Sequence, residues 1–459
     1  MVATDPFALT IREAGASLRE GTLTATALTE SVLARVEATE PALNAYITVT
    51  ADHARKTAAA VDAELQAGRD RGPLHGIPFA LKDLYDTAGI LTTGGSSFLR
   101  KRVPDEDAAV VAKLNDAGIV LTGKLGLHEF AFGTSSLNPH YGDVHNPWDT
   151  GRITGGSSGG SGAAIAAGSC LGTLGTDTGG SIRIPASLCG VVGLMPTYGR
   201  VSRSGVLPLS WTLDHVGPLA KTVEDAALIL NAIAAHDPDD PGSADVPVDD
   251  YTSELGRDLQ GIRVGVPRDP FWLECSDDVA AACEAALETL RELGATLSEV
   301  ELPLEASAGR LSIIWTEAAA YHHERMRESP EGFGDDVRMA LEGGLAIPAT
   351  SYINDQRLRR KLIEEVSAVL KTVDVLASPT TPATAPPLSA GDPQRTLARY
   401  TFRYDVTGIP AISLPCGFDA EGLPIGLMIG ARHFDEVTMC RVAYAYEQAT
   451  DWHTRRAAL

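Results

Sequence analysis

Apolar residues at helical spacing mark the first long helix of the chain. Leu28, Val32 and Val36 recur at four-residue steps. This spacing predicts an amphipathic helix over residues 24–39, which Pro41 is expected to end. Further helices are predicted over residues 52–67, 105–115, 222–235, 277–293 and 436–449.

Continuous apolar runs between these helices predict buried strands. Residues 77–81 form such a run, and Lys82 follows at the end of the predicted strand. Residues 411–414 and 424–429 flank a turn at 419–422, which is the pattern of a hairpin. Other strands are predicted over residues 118–123, 261–267, 295–303 and 373–377.

The alternation of strands and helices favours an α/β fold, with helices covering a mostly parallel sheet. Residues 306–372 are expected to be mostly helical, with breaks at Gly343–Gly344 and Pro348. Residues 235–251 are rich in aspartate and proline, which indicates a surface loop. Residues 1–68 are expected to form a helical segment that packs on the outside of the main body.

The composition is that of a large acidic protein. Of its 459 residues 44% are hydrophobic, so a sizeable core can form, and the formal net charge is −22. This charge argues against direct binding of nucleic acid or of an anionic membrane surface. Residues 1–20 lack a basic region followed by an apolar block, so no signal peptide is expected, and no run of about 18 apolar residues occurs. A cytoplasmic protein is therefore expected.

The cysteines and histidines do not suggest a metal site. The six cysteines are scattered, without Cys-x-x-Cys pairs or Cys/His clusters at zinc spacing. They are expected to be reduced and buried. The pair His322–His323 is more typical of a surface than of metal ligation. Neither a metal nor an organic cofactor is expected.

Two glycine–serine clusters carry the candidate chemistry. Residues 155–162 read Gly-Gly-Ser-Ser-Gly-Gly-Ser-Gly, and residues 175–185 read Gly-Thr-Asp-Thr-Gly-Gly-Ser-Ile-Arg-Ile-Pro. A flexible linker is disfavoured because Ile182 and Ile184 continue into core-like sequence. A Walker phosphate loop would end in Gly-Lys-Ser/Thr, and residues 151–195 contain no lysine. Serine hydroxyls and closely approaching backbone amides fit a site that handles an acyl group.

The paired clusters resemble the amidase signature family. That family carries a lysine on an upstream strand, which matches Lys82, and its two serines have the 24-residue separation of Ser157 and Ser181. The resemblance covers about residues 10–452, nearly the whole chain. It implies a single amidase signature domain over 1–459, with one large mixed, twisted sheet wrapped by helices.

The resemblance also implies a hydrolase acting on a carboxylic amide or a related C–N bond, as in an aryl or alkyl amide, a carbamate or a urea. Ser181 is the implied nucleophile, Ser157 the relay after a cis peptide bond, and Lys82 the base, kept neutral by burial. No histidine lies in a recognisable Ser-His-Asp signature. The other implied groups are an oxyanion hole of Thr178, Gly179, Gly180 and Ser181, substrate contacts at Phe132, Gly133 and Thr134, and loop support from Asp177 and Arg183.

Two kinds of amidase fit this resemblance, a stand-alone hydrolase and the glutaminase subunit of the tRNA-dependent amidotransferase. Met195 stands where the subunit usually has lysine, and His128 where it usually has aspartate, which favours the hydrolase. In the glutaminase subunit, an acidic residue that binds the glutamine α-amino group is expected near position 398. This chain has Ala398 there, although Asp405 is close in sequence.

The expected partner is a small-molecule amide, and a homodimer is compatible with the sequence. Core packing rather than contact with substrate is expected for Trp211, Trp315 and Tyr321.

Overall fold

The computed structural model describes residues 5–268, 274–302 and 310–459. No helix within these ranges is long and apolar enough to cross a membrane. The helices are α1 (Ile11–Glu20), α2 (Ala25–Leu43), α3 (Ala51–Gln66), α4 (Ala109–Asp116), α5 (Gly159–Ala167), α6 (Arg183–Cys189), α7 (Val223–Ile233), α8 (Asp277–Glu292), α9 (Arg310–Tyr321), α10 (His323–Glu328), α11 (Asp335–Leu345), α12 (Ala349–Val369), α13 (Gln394–Leu397), α14 (Phe402–Thr407) and α15 (Glu436–Ala449). The strands are β1 (Tyr46–Val49), β2 (Pro78–Lys82), β3 (Val120–Leu125), β4 (His145–Asn146), β5 (Asp149–Ile153), β6 (Gly172–Asp177), β7 (Val192–Met195), β8 (His215–Ala220), β9 (Arg263–Pro267), β10 (Thr296–Val300), β11 (Val375–Pro379), β12 (Ala411–Phe418) and β13 (Pro424–Ala431).

One mixed sheet of 11 strands organises the molecule, in the order β1-β3-β2-β6-β8-β7-β12-β13-β11-β9-β10. The expected α/β fold, a large mixed sheet flanked by helices, is confirmed. The expectation that this sheet is mostly parallel is wrong, since six of its ten neighbouring pairs are antiparallel. The reversed strand β8 and the β12–β13 hairpin account for this difference, because each pairs antiparallel on both sides.

The N-terminal segment supplies a strand as well as helices. Strand β1 pairs antiparallel with β3 at the edge of the sheet. The sequence pattern did not predict this strand, because four residues are too few to show a clear alternation. The described part of this segment, residues 5–68, therefore extends the sheet in addition to covering it.

Two helix ends differ from their predicted positions. Helix α2 continues through Pro41, because a proline in the last turn removes only one backbone hydrogen bond. It ends at Leu43, and the following residue, Asn44, caps it with φ of +48°. Helix α4 begins at Ala109 rather than at Asp105. The Asp107 carboxylate accepts the backbone N–H of Ala88 and so ties down a loop instead of capping the helix.

The predicted break at Gly343–Gly344 is also wrong, since α11 runs through both residues. A Cβ atom at Gly344 would lie 2.2 Å from the backbone oxygen of Trp315, so this glycine permits α11 to pack closely on α9. The break at Pro348 is confirmed, because α12 begins directly after it. Residue 303 of the predicted strand and residues 306–309 of the predicted helical region lie outside the described residues.

The sheet brings the two halves of the candidate site together. Strands β2 and β6 are parallel neighbours, so their carboxyl ends, at Lys82 and Asp177, meet at one edge of the sheet. Helix α5 packs close to the end of the neighbouring strand β3, since a Cβ at Gly160 would lie 2.5 Å from the backbone oxygen of Gly126. The loop from β6 to α6 carries Ser181 along the same edge.

Candidate active site

Lys82 ends strand β2 and is completely buried. Its Nζ lies 2.7 Å from Ser157 Oγ and 2.8 Å from Thr176 Oγ1. Thr176 is an unpredicted contact, and its position on β6, next to β2, brings its hydroxyl within reach. The structure thus places a buried amine between two hydroxyls.

Burial lowers the pKa of Lys82 from 10.5 to about 7. The nearby carboxylates of Asp177 and Asp214 act in the opposite direction and favour the ammonium ion. The loss of hydration outweighs them, because a charged group is poorly stabilised away from water. A large fraction of Lys82 is therefore neutral near pH 7, with a lone pair that can accept a proton.

Ser157 follows a cis peptide bond from Gly156, as the resemblance implies. Its backbone oxygen accepts the N–H of His128 and the hydroxyl of Ser136, both at 3.1 Å. A Cβ at Gly156 would lie 2.9 Å from backbone atoms of residues 134–136, so glycine permits this loop to approach. These contacts fix the backbone of Ser157, so its side chain is left for the contact with Lys82.

Ser181 lies on the loop between β6 and α6, close to Ser157 in space. The N–H of Ser158 donates to the Ser181 carbonyl at 3.2 Å, which joins the two glycine–serine clusters. Within the described residues, the Ser157 and Ser181 hydroxyls are not hydrogen-bonded to each other. Ser181 is 6% exposed and lines a pocket.

The amides of this loop differ in their availability to a bound ligand. The Gly180 N–H donates to Asp177 Oδ1, so it is already occupied, contrary to its expected place in the oxyanion hole. The N–H groups of Thr178, Gly179 and Ser181 have no hydrogen-bond partner among the residues the structure describes. Gly180 has φ of +127°, a conformation that favours glycine.

Asp177 and Arg183 hold the loop from beneath. Asp177 accepts the N–H of Ile182 at 3.1 Å and the Arg183 Nε at 2.9 Å, and Arg183 also donates to Asp405 at 2.5 Å. Burial alone would raise the pKa of Asp177, but the charge and hydrogen bonds of Arg183 hold it below its usual range. Asp405 is fully buried in this network and is not available to the ammonium group of a substrate.

The pocket at Ser181 is narrow and carries no ionisable lining side chain among the described residues. Residues of α9 and α14 form part of its wall. Besides Ser181, the lining residues are Ala131, Phe132, Gly133, Thr134, Thr178, Gly179, Leu209, Ile314, Trp315, Ala398 and Phe402.

Thr134 lines this pocket, but its backbone N–H and its hydroxyl both bind the side chain of Asp392. Its N–H lies 3.0 and 3.2 Å from the two carboxylate oxygens of Asp392, and its hydroxyl lies 2.6 Å from one of them. Asp392 is therefore a contact that the sequence did not reveal. No local motif could have revealed it, because the two residues are far apart in the chain.

Two of the three aromatic residues expected in the core line cavities. Trp315 packs against the hydrophobic core, as expected, and also lines the pocket at Ser181. Trp211 is 46% exposed and lines a second cavity of about 520 Å³, which also reaches Thr176 and Asp214. Asp214 accepts the Thr178 hydroxyl at 2.6 Å, and burial raises the pKa of its carboxyl to about 6.

Within the described part of the chain, His128, Asp336 and Asp392 could share a divalent cation. Their ligand atoms lie within 4.8 Å of one another. Each already has a protein partner, since His128 Nε2 bonds Asp336 at 2.8 Å and Asp392 binds Thr134. None of the three lines the pocket at Ser181.

Comparison with known proteins covers nearly the whole chain. Residues 27–440 match the family model described as Amidase. The chain is 43% identical to the A subunit of the glutamyl-tRNA(Gln) amidotransferase of Chloroflexus aggregans, an alignment that covers 98% of each protein.

Similar solved structures include proteins that are not named as amidotransferase subunits. One is the peptide amidase from Stenotrophomonas maltophilia, with 34% identity, a TM-score of 0.86 and coverage of 96% of both chains. A second belongs to a vestigial protein complex that reveals the origins of an s-triazine catabolic enzyme, with 35% identity and a TM-score of 0.93. That alignment covers 98% of this chain and 100% of the other.

Proposed function

This chain belongs to the amidase family and is an amide-hydrolysing enzyme, and we propose that it works through an acyl-enzyme on Ser181. The observation that carries this proposal is the buried 2.7 Å contact between Lys82 Nζ and Ser157 Oγ, beside the loop of Ser181. A neutral lysine that activates serine is a known variant of the serine triad. Lys82 acts as the base and Ser157 as the relay.

In the first step, Ser181 Oγ forms a bond to the carbonyl carbon while its proton passes through Ser157 to the Lys82 amine. The hydrogen bond from Lys82 to Thr176 orients this amine and leaves its lone pair for Ser157. The proton then returns to the leaving nitrogen as the C–N bond breaks and the amine departs. Water attacks the acyl-enzyme by the same route, which releases the carboxylic acid and restores Ser181.

Backbone amides stabilise the charge that develops on the carbonyl oxygen. The candidate donors are the N–H groups of Thr178, Gly179 and Ser181, which have no partner within the described residues. One such donor commonly contributes about 3 kcal/mol to lowering the barrier. Asp177 keeps these amides in place by binding the neighbouring N–H groups of the same loop.

The uncharged pocket favours an uncharged, apolar acyl group, such as an aryl or alkyl group. Glutamine would bring an ammonium and a carboxylate into this pocket, and an unpaired buried charge costs several kcal/mol. Ala398 lines the pocket where an acid is expected in the glutaminase subunit, and Asp405 is buried against Arg183. These contacts support a stand-alone hydrolase.

The second candidate is the glutaminase subunit of a tRNA-dependent amidotransferase. The 43% identity to such a subunit over almost the whole chain favours it. In that case partner subunits would be needed for the complete reaction. The two candidates differ in the substrate that the purified chain should hydrolyse.

We expect the purified chain alone to hydrolyse butyramide and benzamide with kcat/KM at least about 100-fold above that for L-glutamine. Butyramide is the matched control, because it is the glutamine side chain without the ammonium and carboxylate groups. Initial rates of ammonia release measure all three. Glutamine turnover equal to or above that of butyramide would contradict the stand-alone assignment in favour of the glutaminase subunit.

Removal of metal ions is expected to leave activity within about twofold of its starting value. The proposed mechanism uses Ser181, Ser157, Lys82 and backbone amides and has no step that needs a metal ion. The measurement is benzamide turnover before and after incubation with excess EDTA and gel filtration. Inactivation that one added divalent metal reverses would overturn this expectation, and the group of His128, Asp336 and Asp392 would then be the place to look.

A further inference from the structure

The wall of the pocket includes Phe132–Thr134, here called the substrate loop. We propose that Asp392 and His128 position the substrate loop and thereby determine which acyl groups bind, an inference that rests on the proposed acyl-enzyme chemistry at Ser181. Neither side chain lines the pocket, so both act through the loop.

Asp392 holds the loop at Thr134. Its carboxylate accepts the Thr134 N–H at 3.0 and 3.2 Å and the Thr134 hydroxyl at 2.6 Å. Hydrogen bonds to an ionised carboxylate are stronger than those between neutral groups. The Thr134 N–H would otherwise have to be satisfied by water or by substrate, so Asp392 decides the direction in which this part of the loop faces.

His128 supports the neighbouring residue of the loop. Its ring lies so close to Gly133 that a Cβ there would be 2.2–2.4 Å from three ring atoms. The ring is itself fixed, because Nε2 lies 2.8 Å from Asp336 Oδ2 and Nδ1 lies 3.2 Å from Ser135 Oγ. Burial alone would lower the pKa of His128, but the hydrogen bond to Asp336 and the nearby Asp392 raise it.

A loop held at two adjacent residues is ordered before substrate arrives. If Asp392 is removed, a ligand that contacts the loop must pay for ordering it, and this cost weakens binding rather than slowing the chemical step. An acyl group too small to reach the loop avoids the cost. The anchors should therefore favour large acyl groups over small ones.

Sulfonyl fluorides test this preference for large groups. They react with a nucleophilic serine directly, so the experiment does not require the natural substrate to be known. Ser181 Oγ bonds to sulfur, its proton passes to Lys82, and fluoride leaves. We expect Asp392→Ala to raise KI for phenylmethanesulfonyl fluoride about tenfold while kinact stays within about threefold. KI for methanesulfonyl fluoride should stay within about threefold, since its methyl group offers much less surface than a phenyl ring for contact with the loop.

Two further variants accompany Asp392→Ala. Asp335→Ala is the matched control, since it removes an exposed carboxylate one residue from Asp336 and should change neither reagent's KI. Thr134→Val removes only the hydroxyl that binds Asp392, keeps the backbone N–H and should raise KI for the phenyl reagent by a smaller factor. It provides the test should Asp392→Ala fail to fold.

Equal changes for the two reagents, or a change confined to kinact, would show that Asp392 has only a general structural role and would overturn the proposal. No change with either reagent would overturn it as well. If neither reagent modifies Ser181 in the unaltered protein, the acyl-enzyme mechanism itself fails and the inference fails with it. Mass spectrometry of the labelled peptide separates these outcomes.

Discussion

Replacing Ser181 with alanine is expected to lower amide turnover by at least about 100-fold while the protein stays folded. Its Oγ is the atom that forms the covalent bond to substrate in the proposed mechanism. Within the described residues this Oγ makes no hydrogen bond, so alanine removes no structural contact. Initial rates with benzamide measure the activity, and a thermal melt reports the fold.

The matched control for this variant is Ser161→Ala. Ser161 is also a buried serine of the glycine–serine clusters, but its hydroxyl makes two long contacts, donating to the Leu174 oxygen at 3.5 Å and accepting from the Thr173 hydroxyl at 3.4 Å. It should keep activity within about threefold. Ser157→Ala should lose less activity than Ser181→Ala, provided that water can bridge to Lys82. If Ser181→Ala kept more than about a hundredth of the original turnover, another residue would be the nucleophile.

The variant Lys82→Arg is expected to be nearly inactive, with a loss of at least about 100-fold. An arginine side chain stays protonated and offers no lone pair to Ser157. Lys82→Ala should also be nearly inactive near neutral pH, with a smaller deficit at alkaline pH, where hydroxide partly replaces the base.

The unaltered enzyme should show the ionisation of Lys82 in its pH profile. Because burial lowers the pKa of this lysine to about 7, kcat/KM should rise as the pH passes through about 7 and reach a plateau above it. The rise follows loss of the proton, since only the neutral amine accepts a proton from Ser157.

Lys124 provides a control within the same fold. It is equally buried, on strand β3, and its pKa is lowered to about 8, with burial as the largest cause. It binds the Tyr85 oxygen at 2.7 Å, away from the serines. The variant Lys124→Met is expected to lose stability but to keep the midpoint of the profile near 7. A midpoint that disappears in this variant would assign the ionisation to Lys124 instead of Lys82.

The parts of the site that could be predicted from the sequence are encoded locally. An apolar run before Lys82 predicted the buried strand β2, and this burial is also what lowers the lysine pKa. The two serines stand in long glycine-rich motifs, which carry the family resemblance. Each of these signals lies within a few residues of the group it identifies.

The contacts that were missed depend on strand pairing and on distant segments. Thr176 reaches Lys82 because β6 pairs with β2, and nothing in either strand alone states that pairing. Asp392 meets Thr134 from a surface segment that has no motif of its own. The Gly180 N–H was expected at the oxyanion hole, but the direction of a loop amide depends on the Asp177 carboxylate beneath it.

The same limit applies to the sheet. Alternating strands and helices correctly predicted an α/β fold, but the direction of each strand depends on which neighbour it pairs with. Strand β8 enters between β6 and β7 in the opposite direction to both. Glycines at positions 343 and 344 were expected to break a helix, whereas close packing on Trp315 explains why α11 carries them.

Direct detection of the acyl-enzyme tests the central claim most directly. The enzyme is mixed with an activated benzoate ester, quenched in acid within the first turnover, digested and analysed by tandem mass spectrometry. The account predicts a benzoyl group on Ser181 in the unaltered protein and no benzoyl group on this peptide in Ser181→Ala. A benzoyl group on Ser157 or on another residue, or turnover of the ester without any trapped adduct, would contradict it.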